Sequence, residues 1–173
     1  YIMHTSDGGK SWTQQWLERD GTQLWGMSFI DSLHGWVVGH NGRVLQTNDG
    51  GRNWTKQIVP LTHYHDVFFI DTLKGWAAGH SSQMLFTTDG GINWEFANVP
   101  GPFFGVNSIV FIDSLNGWAV GRGGNIIHST DGGKNWNFQK SPANSDLYTL
   151  WVHDSNKIWA AGWFGTLIHT TNG

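Results

Sequence analysis

The 173-residue chain contains no cysteine, which excludes a disulfide framework and any thiolate-ligated metal or redox centre. It is also poor in charge: ten Lys and Arg against thirteen Asp and Glu leave a net charge of −3. The basic residues are scattered, so no basic patch is available for nucleic acid. No apolar run approaches the length of a membrane-spanning helix. No window shows sustained helical periodicity, and no helix-length stretch is free of glycine. No signal peptide is legible either. The chain opens inside one repeat and stops inside another, so it reads as a mature fragment or a window from a longer protein, and that absence is uninformative.

Tryptophan and glycine, by contrast, are abundant, with twelve and twenty-four copies. Much of that excess belongs to a short signature. It reads Thr5-Ser6-Asp7-Gly8-Gly9-Lys10-Ser11-Trp12, then Thr47 to Trp54, Thr87 to Trp94, Ser129 to Trp136, and a clipped Thr170-Thr171-Asn172-Gly173. Its third position falls at residues 7, 49, 89, 131 and 172, a period near forty. A second signature lies between the copies: Phe29-Ile30-Asp31-Ser32-Leu33-His34-Gly35-Trp36, its equivalents at Phe69 to Trp76 and Phe111 to Trp118, and a weaker Val152 to Trp159. A glycine follows three residues after each of these tryptophans, at Gly39, Gly79, Gly121 and Gly162.

One unit reads as four short strands of β-branched and aromatic residues bounded by Gly, Asp, Asn and Ser. The first is typified by Ser108–Ile112, the second by Gly-Trp-Ala/Val-x-Gly, the third by Asn125–Ser129 and the fourth by Asn135–Phe138. Four antiparallel strands repeated every forty residues predict an all-β propeller. The expected division is the end of a blade in 1–20, blades in 21–60, 61–101 and 102–142, and the first three strands of another in 143–173. That is about four blades' worth of chain, a partial or half propeller. The strand after Trp12 is a candidate to complete the C-terminal blade. The expected whole is either part of a seven- or eight-bladed protein or a half-ring that forms a homodimer.

The chemistry of the first signature is that of a turn. The Asp carboxylate accepts from amides that follow it, the Gly pair supplies positive φ, and the Trp ring packs on the blade with its N–H seeking a partner. Asp7, Trp12, Asp49, Trp54, Asp89, Trp94, Asp131 and Trp136 are therefore read as scaffold. Copies in every blade lie too far apart to converge on one substrate.

These residues resemble the Asp-box, or BNR, repeat of sialidases, xyloglucan-degrading hydrolases and sortilin-type receptors. Combined with Phe-Ile-Asp-Ser-x-x-Gly-Trp-x-x-Gly, the pattern is most similar to the photosystem II stability/assembly factor type of propeller. That resemblance implies a non-enzymatic scaffold in an extracytoplasmic (periplasmic, lumenal or secreted) setting, binding a protein partner and needing no cofactor.

Removing the scaffold positions leaves few residues for function. Five carboxylates remain: Glu18, Asp20, Asp66, Glu95 and Asp146. They lie in different blades or at edges, whereas a glycosidase needs two that converge. Sialidase chemistry would need an Arg cluster, but only Arg19, Arg43, Arg52 and Arg122 exist. In an up-and-down blade both signatures occupy one face. The opposite face carries the turns between strands two and three and the connections between blades, where residues vary. Trp25, His65, Asn107 and Tyr148 stand six residues before the first-turn Asp, and His40, His80, Arg122 and Trp163 follow the strand-two glycine. These eight are the candidate partner-binding residues, since variable loops on a rigid frame carry binding. The alternative is carbohydrate binding or hydrolysis, with Trp25, Tyr148 and Trp163 stacking on sugar. No metal site is expected. His40 and His80 occupy equivalent places in adjacent blades, too far apart to share an ion, and His4, His128 and His169 share one structural strand position.

Overall fold

The computed structural model describes residues 1–16, 21–101 and 105–173. Its strands form five antiparallel sheets. An N-terminal pair, β1 (Ile2–His4) and β2 (Thr13–Trp16), is followed by a blade of β3 (Leu24–Phe29), β4 (Gly35–Gly39), β5 (Arg43–Thr47) and β6 (Thr55–Lys56). The second blade is β7 (Tyr64–Phe69), β8 (Gly75–Gly79), β9 (Met84–Thr87) and β10 (Glu95–Phe96). The third is β11 (Val106–Phe111), β12 (Gly117–Gly121), β13 (Ile126–Ser129) and β14 (Asn137–Gln139). A three-stranded sheet, β15 (Leu147–Val152), β16 (Ile158–Gly162) and β17 (Leu167–Thr170), ends the series. The molecule is an all-β, partial propeller of about four blades. The strand after Trp12 pairs with β1 rather than with β17. The expectation that it completes the last sheet fails because a complete third-strand and Asp-box unit lies beside it.

Between the blades lies a repeated aromatic layer. Trp36 of one blade stacks on Phe69 of the next with centroids 3.6 Å apart, and Trp76 stacks on Phe111 at 3.5 Å. Trp94 and Trp136 close the same layers edge-on against Phe69 and Phe111. The Gly before each second-strand Trp is required by this packing. A Cβ on Gly75 would meet the Phe69 ring at 2.4 Å. The last interface has Val152 where the others have Phe, and Trp118 stacks on His128 instead, at 4.3 Å. The box Trp stands just ahead of the fourth strand, and the rings of Trp94 and Trp136 turn inward to fill this layer; the fourth strands begin two residues later than the sequence suggests. The indole N–H groups divide. Those of Trp36 and Trp76 donate to the carbonyls of Gly90 and Gly132 in the next blade. Among the box tryptophans, Trp136 donates to Gly133, while Trp54 and Trp94 have buried N–H groups with no acceptor among the described residues.

The turn chemistry is as the sequence predicts. In each complete box the first hydroxyl binds the Asp carboxylate and accepts from a glycine amide, and the carboxylate accepts the amide four residues on. Backbone bonds tie each box to the first turn of its own blade: Gly50 to Leu33, Gly90 to Leu73, Gly132 to Leu115. Both signatures therefore share one face. The hydroxyl and amide of Ser11 hold Asp7 at about 2, and the His34 amide and ring hold Asp31 at about 2, against an ordinary 3.8. Asp49 and Asp154 are lowered by the amides of Asn53 and Asn156. Stability from these groups is present above 3.8 and lost as pH falls toward 2. Asp66, raised by burial, works oppositely: its contribution is present below 3.8 and lost as pH rises through its folded value. The lowered groups outnumber it, so the melting temperature should fall progressively between pH 4 and pH 2. A melting temperature that stays level or rises over that window would contradict the turn assignment.

Candidate binding face

The variable face is built by two repeated backbone devices. The register between first and second strands slips between Leu24 and Gly26, Tyr64 and Asp66, Val106 and Ser108, and Leu147 and Thr149. The residues at these bulges are Trp25, His65, Asn107 and Tyr148. A bulge interrupts the ladder and re-aims a side chain. The second device is the strand-two glycine. A Cβ on Gly39, Gly79, Gly121 or Gly162 would lie 2.0 Å from the carbonyl oxygen of Gln23, His63, Gly105 or Asp146 respectively. That close approach lets the next residue donate its amide to the same carbonyl: His40 to Gln23, His80 to His63, Arg122 to Gly105, Trp163 to Asp146. The eight candidates therefore stand at two equivalent points on each blade.

Six of them form a continuous set. Trp25 packs on His40 and His65 with centroids 5.6 and 5.1 Å away, and His65 packs on His80 at 4.6 Å. Arg122 reaches His80, Nη2 to Nε2, at 3.3 Å. Asn107 meets His65 Nδ1 at 3.2 Å and donates to the carbonyl of Leu147 at 2.8 Å. Tyr148 and Trp163 form a separate pair in the last sheet, with centroids 6.0 Å apart. Beside them Phe164 is 88% exposed and held at φ +55°. A bulky residue in that region is a backbone outlier, of the kind that clusters at functional sites.

One member lies outside the eight. His63, on the connection into the second blade, is central to the cluster. Its Nε2 lies 3.0 Å from that of His40, and its ring contacts Trp25 and His80. It occupies the position of the carbonyl that each strand-two glycine approaches, a third repeated point shared with Gln23, Gly105 and Asp146. The spacing of His63 from Gly79 was the available signal. His40 and His80 have no direct ring contact; His63 bridges them. No group of three potential ligands with metal geometry occurs among the described residues.

The protonation pattern follows from the partners. His65 Nδ1 faces the Val106 carbonyl at 3.1 Å, so it carries the proton and donates. Arg122 can only donate, so His80 Nε2 accepts and the neutral ring holds its proton on Nδ1, which is buried without an acceptor. Burial lowers both rings from the ordinary histidine value, and neighbouring positive charges add to this: Arg122 and His63 on His65, and His65, Arg122, His63 and His40 on His80.

The spare carboxylates do other work. Asp66 is an interblade clamp: it accepts from Ser108 Oγ and the Ile109 amide, both at 3.0 Å. Glu95 lies exposed on β10. Asp146 accepts the Gly123 amide at 2.8 Å. Glu18, Asp20 and Arg19, and the connection residues Pro102, Phe103 and Phe104, lie outside the described residues.

The family model of photosynthesis system II assembly factor YCF48 matches residues 10–101 and 59–140, together most of the chain. No curated protein matches. Among solved structures, YCF48 bound to D1 peptide is 21% identical, with 99% of this chain aligned to 71% of that one at a TM-score of 0.53. YCF48 from Cyanidioschyzon merolae is 17% identical, over 97% of this chain and 73% of that one, at 0.56. An ancestral GH74 enzyme is 14% identical, over 98% of this chain but 28% of its own, at 0.70. At such identities these likenesses establish the propeller fold.

Proposed function

Because the chain belongs to the photosynthesis system II assembly factor YCF48 family, we propose that it is a non-catalytic assembly scaffold. Its variable face takes an extended segment of a partner protein. The observation that carries this reading is the convergence of Trp25, His40, His63, His65, His80 and Arg122 on one face, through bulges and close-packed turns repeated in each blade. Tryptophan and arginine are the usual anchors of protein interfaces. Positions set on rigid strands keep that surface pre-organised, which lowers the entropy cost of association. The relative bound to a D1 peptide supplies the first probe. An extracytoplasmic location, lumenal or periplasmic, accompanies this reading. No helix among the described residues is long and apolar enough to cross a membrane.

The exposed Tyr148–Trp163 pair and the likeness to a GH74 enzyme favour a second reading, carbohydrate binding or cleavage. The two separate in one set of measurements. Calorimetry with a D1 peptide should show binding that weakens about tenfold in Trp25→Ala, a loss typical of an interfacial anchor, at an unchanged melting temperature. Xyloglucan oligosaccharides should neither bind nor be cleaved. Cleavage of the oligosaccharide, or peptide affinity indifferent to Trp25→Ala, would reject the scaffold reading.

A further inference from the structure

We propose that Trp25, His40, His63, His65, His80 and Arg122 form a proton-gated carboxylate site, which grips an acidic residue of the partner more tightly as pH falls through the imidazole range. The inference rests on the scaffold reading for its biological partner, but its chemistry stands on the cluster itself.

The first argument is charge balance. Four imidazoles and one guanidinium are linked by contacts of 3.0 to 3.3 Å and by ring packing, and no described carboxylate pairs with any of them. The nearby acids among the described residues are committed elsewhere. Asp66 follows His65 in sequence, but its carboxylate is directed at Ser108 and Ile109 of the next blade. Asp146 holds the Gly123 amide. Of the other polar groups against the cluster, Arg43 donates its amide to the His40 carbonyl and its guanidinium to Thr22 Oγ1, and Asn107 bridges His65 to Leu147. Proton uptake by this set therefore creates positive charge with no counter-charge among the described residues.

The second argument is geometry. Arg122 meets a neutral acceptor, His80 Nε2, where a guanidinium is best satisfied by a carboxylate. With both rings neutral, a single proton lies between the facing Nε2 atoms of His40 and His63, 3.0 Å apart. An added proton sets donor against donor, at this contact or at His63 Nδ1 against the Asn41 amide, and an anion seated beside the pair relieves that repulsion. The Asn41 amide points at His63 Nδ1, at 3.4 Å, and keeps that nitrogen an acceptor in the neutral ring. With neutral rings the contacts of His40, His63 and Arg122 are each donor to acceptor, whereas the charged cluster has no anionic partner among the described residues. By linkage, whatever anion binds the charged form must raise the apparent histidine values, and its affinity must rise as pH falls.

The test uses a small dicarboxylate, so that it reads the site without a protein partner. Histidine ring resonances are titrated from pH 5 to 8.5 in sodium glutarate and in sodium chloride of equal ionic strength. The remote His153 serves as internal reference. Glutarate should raise the midpoints of His65 and His80 by about half a unit each. Together that makes glutarate affinity rise as pH falls from 8, toward a ceiling of about tenfold that is reached only below the lowered midpoints of the free rings. Arg122→Gln should lose most of the shift while keeping its melting temperature. Midpoints unmoved by glutarate, or moved equally in Arg122→Gln and at His153, would overturn the proposal. If glutarate shows the linkage but a D1 peptide does not bind, the scaffold reading alone fails. If the peptide binds with no pH dependence and glutarate has no effect, the gate alone fails.

Discussion

Replacing Trp76 with alanine should cost about 3 to 5 kcal/mol, the range for removing a buried aromatic ring, and lower the melting temperature by roughly 10 °C for a chain of this size. Trp76 is 2% exposed, lies 3.5 Å from Phe111 in parallel stacking, and donates its N–H to the Gly132 carbonyl at 2.8 Å. Three losses coincide there: apolar burial, the stack across the blade boundary, and an acceptor in the neighbouring Asp-box. Because neighbouring blades supply most of each other's core, a lesion at one interface weakens both sheets. Trp163→Ala is the control. That ring is 53% exposed on the variable face, and its loss should change stability by less than about 1 kcal/mol. Thermal unfolding of the two variants checks the contrast; equal losses would mean that the interblade layer is not the main source of stability.

Gly79→Ala should cost about 3 kcal/mol, at the upper end for forcing atoms into a packed site. The backbone of Gly79 is extended (φ −164°), so conformational freedom is not the reason for glycine. The reason is the His63 carbonyl oxygen, 2.0 Å from where the new methyl carbon would lie, with Tyr64 Cα at 2.9 Å. Backbone atoms must move to make room. The same carbonyl accepts the His80 amide, so the shift also separates His63 from His80. This variant should therefore lose peptide affinity along with stability. Gly165→Ala provides the comparison. Gly165 has φ +70° with nothing within 4 Å of a new Cβ, so only backbone strain of about 1 kcal/mol applies. Unfolding by denaturant, with peptide binding measured below the transition, separates the two effects.

The contrast between these glycines shows what the sequence disclosed. Periodicity alone marks Gly39, Gly79, Gly121 and Gly162 as one repeated position, and the up-and-down rule places the loops that follow on the face opposite the Asp-boxes. The box-to-turn bonds, such as Gly90 to Leu73, confirm that placement. Trp25, His65, Asn107 and Tyr148 are readable as variable residues on that face. That they stand at bulges is not readable, because a register slip depends on how two strands pair in space. His63 is readable as part of the variable connection Pro60 to His65, but not as a site residue, because its place in the cluster becomes visible only once the Gly79 contact is known. The stacking of Trp36 on Phe69 and Trp76 on Phe111 crosses blade boundaries, and a repeat pattern cannot show which copy a side chain meets. The last sheet departs from the pattern where the sequence itself departs, at Val152.

The central claim is that the Asp-box face is frame and the opposite face is the binding surface. Amide hydrogen exchange, measured with and without a saturating D1 peptide at pH 6, tests it most directly. Added protection should be confined to residues 24–26, 40–42, 63–66, 80–83, 122–125 and 163–166, with the boxes at 49–53, 89–93 and 131–135 unchanged. Protection concentrated in the boxes, with the variable face unaffected, would contradict the account.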